Sequence, residues 1–171
     1  MAKINKKSKG KSSIILNMVI GLIGLIILVY YLFSYNAIPS IDEYVKQNDI
    51  PYGFVKVETP SGNILARLAT SSEDLERGLS GTKSLSYDEG MLFVFQESGS
   101  RGFWMHDMSY SIDIIWLNQE KKVIGVTSDI SPETYPNIFF PPEPVKYVLE
   151  LNAGYAEENN IASGTPLTFV I

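Results

Sequence analysis

Asp113 sits within the run Ser111-Ile-Asp-Ile-Ile-Trp-Leu117. Strand alternation puts Ile115 and Leu117 on its own face and Ile112, Ile114 and Trp116 on the other. A carboxylate with apolar neighbours on both faces must be paired, hydrogen-bonded or turned into a cleft. Two roles stay open: a structural acid bonded to backbone amides or to Arg77, or an acid that grips a ligand or does catalysis. Glu150 lies on the face opposite Leu149 and Leu151, beside Asn152, and can join Asp113 as a carboxylate pair. Two acids flanking a bond suit glycoside hydrolysis, but the sequence supplies no distance between them.

Trp104, Met105, His106 and Asp107 form a second cluster, amphipathic and placed at a strand's edge. Large aromatics in a β domain usually fill the core; the functional alternative is a stacking platform for a sugar or another flat ligand. His106 invites a triad with Ser80 or Ser100. Neither serine has nucleophile-elbow spacing, because Thr82 stands at the last glycine position for Ser80 and Gly99 directly precedes Ser100. Asp107, Asp113 and His106 suit a hard cation by type, yet no EF-hand loop is present, and a chain with no Cys and one His lacks the soft-ligand zinc patterns. No catalytic residue, metal ligand or cofactor is therefore assigned. The candidate ligand-binding residues are Arg77, Trp104, Met105, His106, Asp107, Asp113, Glu150 and Asn152.

The elements that position these residues read mostly as short strands. Phe54 to Glu58 and Ile64 to Ala69 are β-type runs joined by the turn formers Pro60 to Asn63, a hairpin signal. Thr70-Ser-Ser-Glu73 has capping-box spacing, predicting a short helix that carries Leu75 and Leu79 on one face and ends near Gly78 or Gly81. Met91 to Phe95 is continuously apolar, as in a strand buried on both faces. Ser111 to Leu117 and Lys122 to Thr127 form another pair, Lys146 to Leu151 is a strand, Asn152 to Asn159 is a short helix capped by Asn152, and Leu167 to Ile171 is a closing strand. Between Ile130 and Pro144 five prolines alternate with Tyr135, Phe139 and Phe140. No ladder can run through such a segment, which is expected to lie ordered as a strap over the sheet. The fold class is mostly β, a compact β-sandwich or barrel-like domain with one or two short helices.

The domain follows a run from Ile14 to Phe33 that is apolar except for Asn17. A helix of that length spans roughly the 30 Å hydrocarbon core of a bilayer. Five lysines precede it and no Lys or Arg follows until Lys46, so the positive-inside rule predicts a cytoplasmic N-terminus and an extracytoplasmic C-terminal domain. The run is longer than a signal-peptide core, and bulky Tyr35 occupies the second small-residue position before a cut after Ala37. An uncleaved anchor is expected. The expected organisation is a basic tail over 1–13, an anchor over 14–33, a stalk over 34–51 and a β domain over 52–171. All 19 acidic residues lie from Asp42 onward with nine Lys and Arg, a formal charge of 9 − 19 = −10. That surface repels phosphate backbones, so no nucleic-acid partner is expected. The expected partners are the membrane, through the single helix, and a small polar ligand or an envelope component.

Several motifs occur in order: ERGL at Glu76 to Leu79, GMLFVF at Gly90 to Phe95, FWMHDM at Phe103 to Met108, SIDIIWL at Ser111 to Leu117, VLELNAG at Val148 to Gly154 and IASGTPL at Ile161 to Leu167. Over roughly Val55 to Ile171 the chain resembles the prokaryotic family called domain of unknown function 192. The resemblance implies a compact, mostly β domain often found behind a signal or anchor segment, and no established activity. The family's usual Met after RGL is Ser80 here, and a commonly basic position soon after it is Thr82. After Trp-Met the family usually has Lys followed by Asn or Asp, where this chain has His106 and Asp107. If that basic position holds an anion, His106 can do so only when protonated.

Overall fold

The structure is a computed structural model in which residues 17–30, 50 and 53–171 are described. The chain divides into two compact units, one ending at Asp49 and the other Ile50–Ile171. In the second unit the strands are β1 (Phe54–Thr59), β2 (Gly62–Ala69), β3 (Glu89–Gly99), β4 (Ile112–Leu117), β5 (Val123–Ile130) and β6 (Val145–Asn152). Helix α1 is Ser72–Arg77 and helix α2 is Tyr155–Glu158. The strands form one sheet in the order β1-β2-β3-β6-β4-β5, antiparallel throughout except for the parallel β2–β3 pair.

The expected two-sheet sandwich is corrected to this single sheet, and the barrel-like alternative describes it better. The C-terminal segment bonds to both of its edges. Glu58 and Thr168 exchange main-chain hydrogen bonds at the β1 edge, while the Val123 amide donates to the Thr165 carbonyl and the Leu167 amide to the Lys121 carbonyl at the β5 side. Every strand contributes to the enclosed face: Val55 and Val57, Ile64 and Ala66, Leu92, Ile115 and Leu117, Val123, and Leu149 and Leu151 pack with Leu167 and Phe169. The opposite face carries Met91, Phe93, Ile112, Ile114, Trp116 and Val148. Central strands with apolar residues on both faces require cover on both sides, which explains why β3, β4 and β6 read as continuous apolar runs.

Cover for that second face comes from α1 and the connecting loops. Ser71 caps α1, its Oγ accepting the Asp74 amide at 3.1 Å, one residue later than the capping-box spacing implied. Leu75 on α1 packs onto the sheet, as does Leu79, which lies two residues past the end of the helix rather than on its face as expected. The proline-rich segment is ordered against it too: the Phe103 and Phe139 main chains bond reciprocally at 2.9 and 2.8 Å. Phe139 packs against the core, whereas Tyr135 and Phe140 stay exposed. Asn152 does not cap α2, because Gly154 with φ 85° occupies that position. The Asn152 amide donates instead to the Leu85 and Ser86 carbonyls, at 3.1 and 2.8 Å.

In the first unit residues 17–30 are helical, with exposed apolar side chains such as Leu22, Ile26 and Leu28. Among the described residues no helix is long and apolar enough to cross a membrane. The expected anchor over 14–33 extends at both ends beyond the described residues, and the basic tail and all of the stalk except Ile50 lie outside them.

Candidate functional site

The register separates the two acids singled out by the sequence. Asp113 stands opposite Leu151 and Glu150 opposite Ile114 on neighbouring strands, so their side chains leave opposite faces of the sheet. The carboxylate-pair arrangement for glycoside hydrolysis therefore does not exist here. Asp113 is fully buried on the enclosed face. Its Oδ1 accepts the Asp129 amide and its Oδ2 the Ala156 amide, each at 2.9 Å. The first bond holds β5 where its register shifts and Asp129 takes a positive φ of 50°; the second ties down the first turn of α2. Arg77 is not its partner. That side chain is half-exposed and pairs with Asp74 at 2.8 Å and Glu73 at 3.9 Å.

Glu150 is buried without such bonds. Its Oε2 is enclosed and has no hydrogen-bond partner, and burial pushes the carboxyl up to about 8. At neutral pH it is mostly the neutral acid. It lines a cavity of about 160 Å³ whose walls include Phe93, Phe95, Phe103, Leu75, Leu79 and Met108, with Trp104 at the rim. Gly78 stands over Glu150 with φ 53° and ψ −132°. A Cβ there would lie 3.2 Å from the Phe93 ring and in ordinary contact, 3.9 Å, with Glu150 Oε2, so a side chain would be strained by the positive φ and would press on Phe93. Arg67 fixes this turn, its Nη2 donating to the Gly78 carbonyl at 3.2 Å.

A wider groove of about 540 Å³ adjoins the cavity and shares Glu76, Arg77, Ser80 and Trp104 with it. His106, Asp107, Glu73 and Tyr135 complete its lining. The rings of Trp104, His106 and Tyr135 form an exposed series, with centroids 6.5 and 5.3 Å apart. Ser80 Oγ donates to the His106 main-chain carbonyl at 2.7 Å, and the Gly81 amide to the Asp107 carbonyl at 2.9 Å. These bonds join the α1 side of the groove to the loop across it. They also commit the Ser80 hydroxyl to the backbone of His106, away from any role as its nucleophile. Among the described residues no group of three or more acidic, His or Cys side chains is arranged to hold a metal ion.

Of the sequence candidates, Arg77, Trp104, His106, Asp107 and Glu150 line this continuous cleft. Met105 is a core residue, Asp113 lies on the other face, and Asn152 bonds a loop. Trp104 is 49% exposed, so the core role expected for large aromatics goes to Trp116, whose Nε1 donates to Thr127 at 2.8 Å. Sequence reasoning missed Arg101, Gly78 and the phenylalanine walls as site residues. Gly78 carried a signal within ERGL; nothing near Arg101 distinguished it from a surface cation.

No curated protein is significantly similar to the chain. Solved structures are, among them the following two. One, from Sinorhizobium meliloti 1021 and described as a candidate transcription regulator, is 28% identical over 68% of this chain and 92% of its own, with a TM-score of 0.62. The other, a protein of unknown function from Novosphingobium aromaticivorans DSM 12444, is 27% identical over 67% of this chain and 83% of its own, with a TM-score of 0.61. Residues 55–169 match the family described as Uncharacterized ACR, COG1430, and on that match the chain belongs to the domain of unknown function 192 family.

Proposed function

We propose that this chain is a membrane-anchored binding module, with its β domain on the extracytoplasmic side and its cleft taking a small polar ligand or the end of an envelope polymer. The single observation that carries the binding role is Glu150: a buried carboxyl with an unsatisfied oxygen, set in a cavity open to an aromatic-lined groove. Burying a polar group without a partner costs stability, and a ligand that supplies the partner recovers that cost. The exposed Trp104, His106 and Tyr135 rings offer stacking surface where such a ligand would enter. The placement at a membrane is supported by the one-sided lysines and the apolar run of the sequence. A transcriptional role, as described for the Sinorhizobium relative, is less well supported, because the formal charge of −10 from Asp42 onward opposes approach to phosphate backbones.

The test is a thermal-shift screen of the full-length chain against small polar metabolites and envelope oligosaccharides, since a binder of the native state raises its melting temperature. A hit should lose its effect in Trp104→Ala while the unliganded melting temperature stays within a degree or two. A screen without hits, or hits indifferent to Trp104→Ala, would count against the cleft. Protease added to intact cells should remove the domain; digestion only after lysis would overturn the topology.

A further inference from the structure

Among the described residues, two buried side-chain polar atoms lack a hydrogen-bond partner: Glu150 Oε2 and Arg101 Nε. Both residues line the same cavity. They are not partners of each other, for no ion pair joins them among those within 4 Å. One is an acceptor and the other an N–H donor on a permanent cation. The Arg101 guanidinium is held in place, stacked 4.5 Å from the Phe95 ring centroid while its Nη2 donates to the Glu97 carbonyl at 3.0 Å. Unsatisfied buried groups are rare and call for an explanation, and here the two residues that carry them, of opposite chemistry, line one cavity whose walls are partly aromatic and partly charged.

We propose that this cavity takes a small zwitterion of the amino-acid class, its ammonium group on the Glu150 carboxylate and its carboxylate on Arg101. The inference rests on the cleft being a ligand site and names what that site prefers. A cation alone would leave Arg101 unsatisfied and be repelled by it. An anion alone could accept from Arg101 and from the O–H of protonated Glu150, and would differ from a zwitterion in releasing no proton on binding. A neutral acceptor could take the O–H of the protonated acid or the N–H of Arg101 but would leave the guanidinium charge without a counter-ion. An apolar cavity of roughly 150 Å³ holds a molecule the size of benzene, so about 160 Å³ with an open mouth suits a short branched side chain.

Protons provide a second signature. In the empty site Glu150 is mostly protonated at pH 7, and pairing with an ammonium group requires it to ionise. Binding should therefore release close to one proton. The other charged or titratable groups around it are Arg67 on β2, Glu76 and Arg77 on α1, Arg101 after β3, and Tyr110, whose hydroxyl lies 2.7 Å from that of Thr82. Tyr110 is itself raised by burial. Glu150 is thus the group placed to release a proton at pH 7.

The experiment is calorimetric titration of the full-length chain at pH 7 with three probes, L-valine, isobutylamine and isovalerate, in buffers of different ionisation enthalpy. Isobutylamine lacks only the carboxylate of valine and isovalerate only its ammonium group. Valine should bind at least about tenfold tighter than either analogue and release about one proton. Glu150→Gln should abolish the release and the preference over isovalerate. Arg101→Gln should abolish the preference over isobutylamine, and with the repelling guanidinium gone isobutylamine should bind at least as tightly as it does to the wild type. If valine binds no better than its better analogue, or releases no proton, the zwitterion assignment falls while the cleft remains a ligand site for that analogue's class. If none of the three binds but Trp104-dependent hits appear in the wider screen, the assignment falls and the binding module stands. The comparison of probes on the wild-type chain decides the matter even if a variant does not fold.

Discussion

Asp113 and Glu150 sit diagonally across adjacent strands, both inside the protein, yet their environments give them opposite tasks. Two backbone amides satisfy Asp113, and removing its carboxylate leaves the buried Ala156 N–H and the part-buried Asp129 N–H without acceptors. Asp113→Ala should cost about 2–5 kcal/mol in urea unfolding, whereas Arg77→Ala, at a half-exposed pair, should change stability by less than about 0.5 kcal/mol. Equal effects would restore an Asp113–Arg77 link. Glu150 acts in the reverse sense. Its carboxyl is raised from 4.5 to about 8 in the folded state, so between those values the folded protein holds a proton that the unfolded chain has lost. The stability this shift reflects is complete below about pH 4.5, declines as pH rises toward 8 and is absent above it. Glu150→Gln should thus gain on the wild type as pH increases, by at most about 5 kcal/mol once above pH 8. Unfolding measured at pH 5, 7 and 9 checks the slope, and a constant difference would mean that Glu150 titrates normally. The sequence made Asp113 legible, because apolar neighbours on both faces demand satisfied bonds. It could not say that Glu150 would be the unsatisfied one, since that depends on what α1 and the 100–108 segment place above it.

At the scale of elements, local patterns located the strands and missed how loops are used. The hairpin, the doubly buried β3 and the β4–β5 pair follow from alternation and turn formers close in sequence. The proline-rich strap was legible as ordered, but which of its aromatics docks is set by the Phe103 main chain, 36 residues away. Phe139 alternates inward at that bridge, which leaves Phe140 outward at 60% exposure and Tyr135 free to line the groove. The two neighbouring phenylalanines should therefore behave differently. Phe139→Ala should destabilise by on the order of 2–3 kcal/mol and Phe140→Ala by less than about 1 kcal/mol, as read by urea midpoints. Comparable losses would place Phe140 against the core as well. Loss of ligand response in Phe140→Ala without loss of stability would extend the binding groove to that residue.

Over the molecule as a whole, closure depends on pairings that no local pattern encodes. β6 enters the sheet between β3 and β4, β2 runs parallel to β3, and the final segment reaches both edges through isolated bridges. The sequence suggested a closing strand over Leu167 to Ile171 but not its two neighbours. In the structure Leu167 and Phe169 are buried in the enclosed core, and Lys121 Nζ donates to the Phe169 carbonyl at 2.6 Å while lying over the Phe169 ring. Val170 and Ile171 beyond them are exposed, at 86% and 57%. Deleting residues 166–171 would remove two core side chains, strip the Glu58 and Lys121 backbones of their partners and leave a sheet edge open to pairing with other chains. The combined loss is at least about 5 kcal/mol, as large as the entire stability of many single domains. The shortened chain should therefore be unfolded or aggregated by circular dichroism and gel filtration. Deleting only residues 170–171 should leave the melting temperature nearly unchanged. A soluble, cooperatively melting 1–165 chain would show that the six strands hold without closure, and would reduce the C-terminal segment from a structural clasp to a cover.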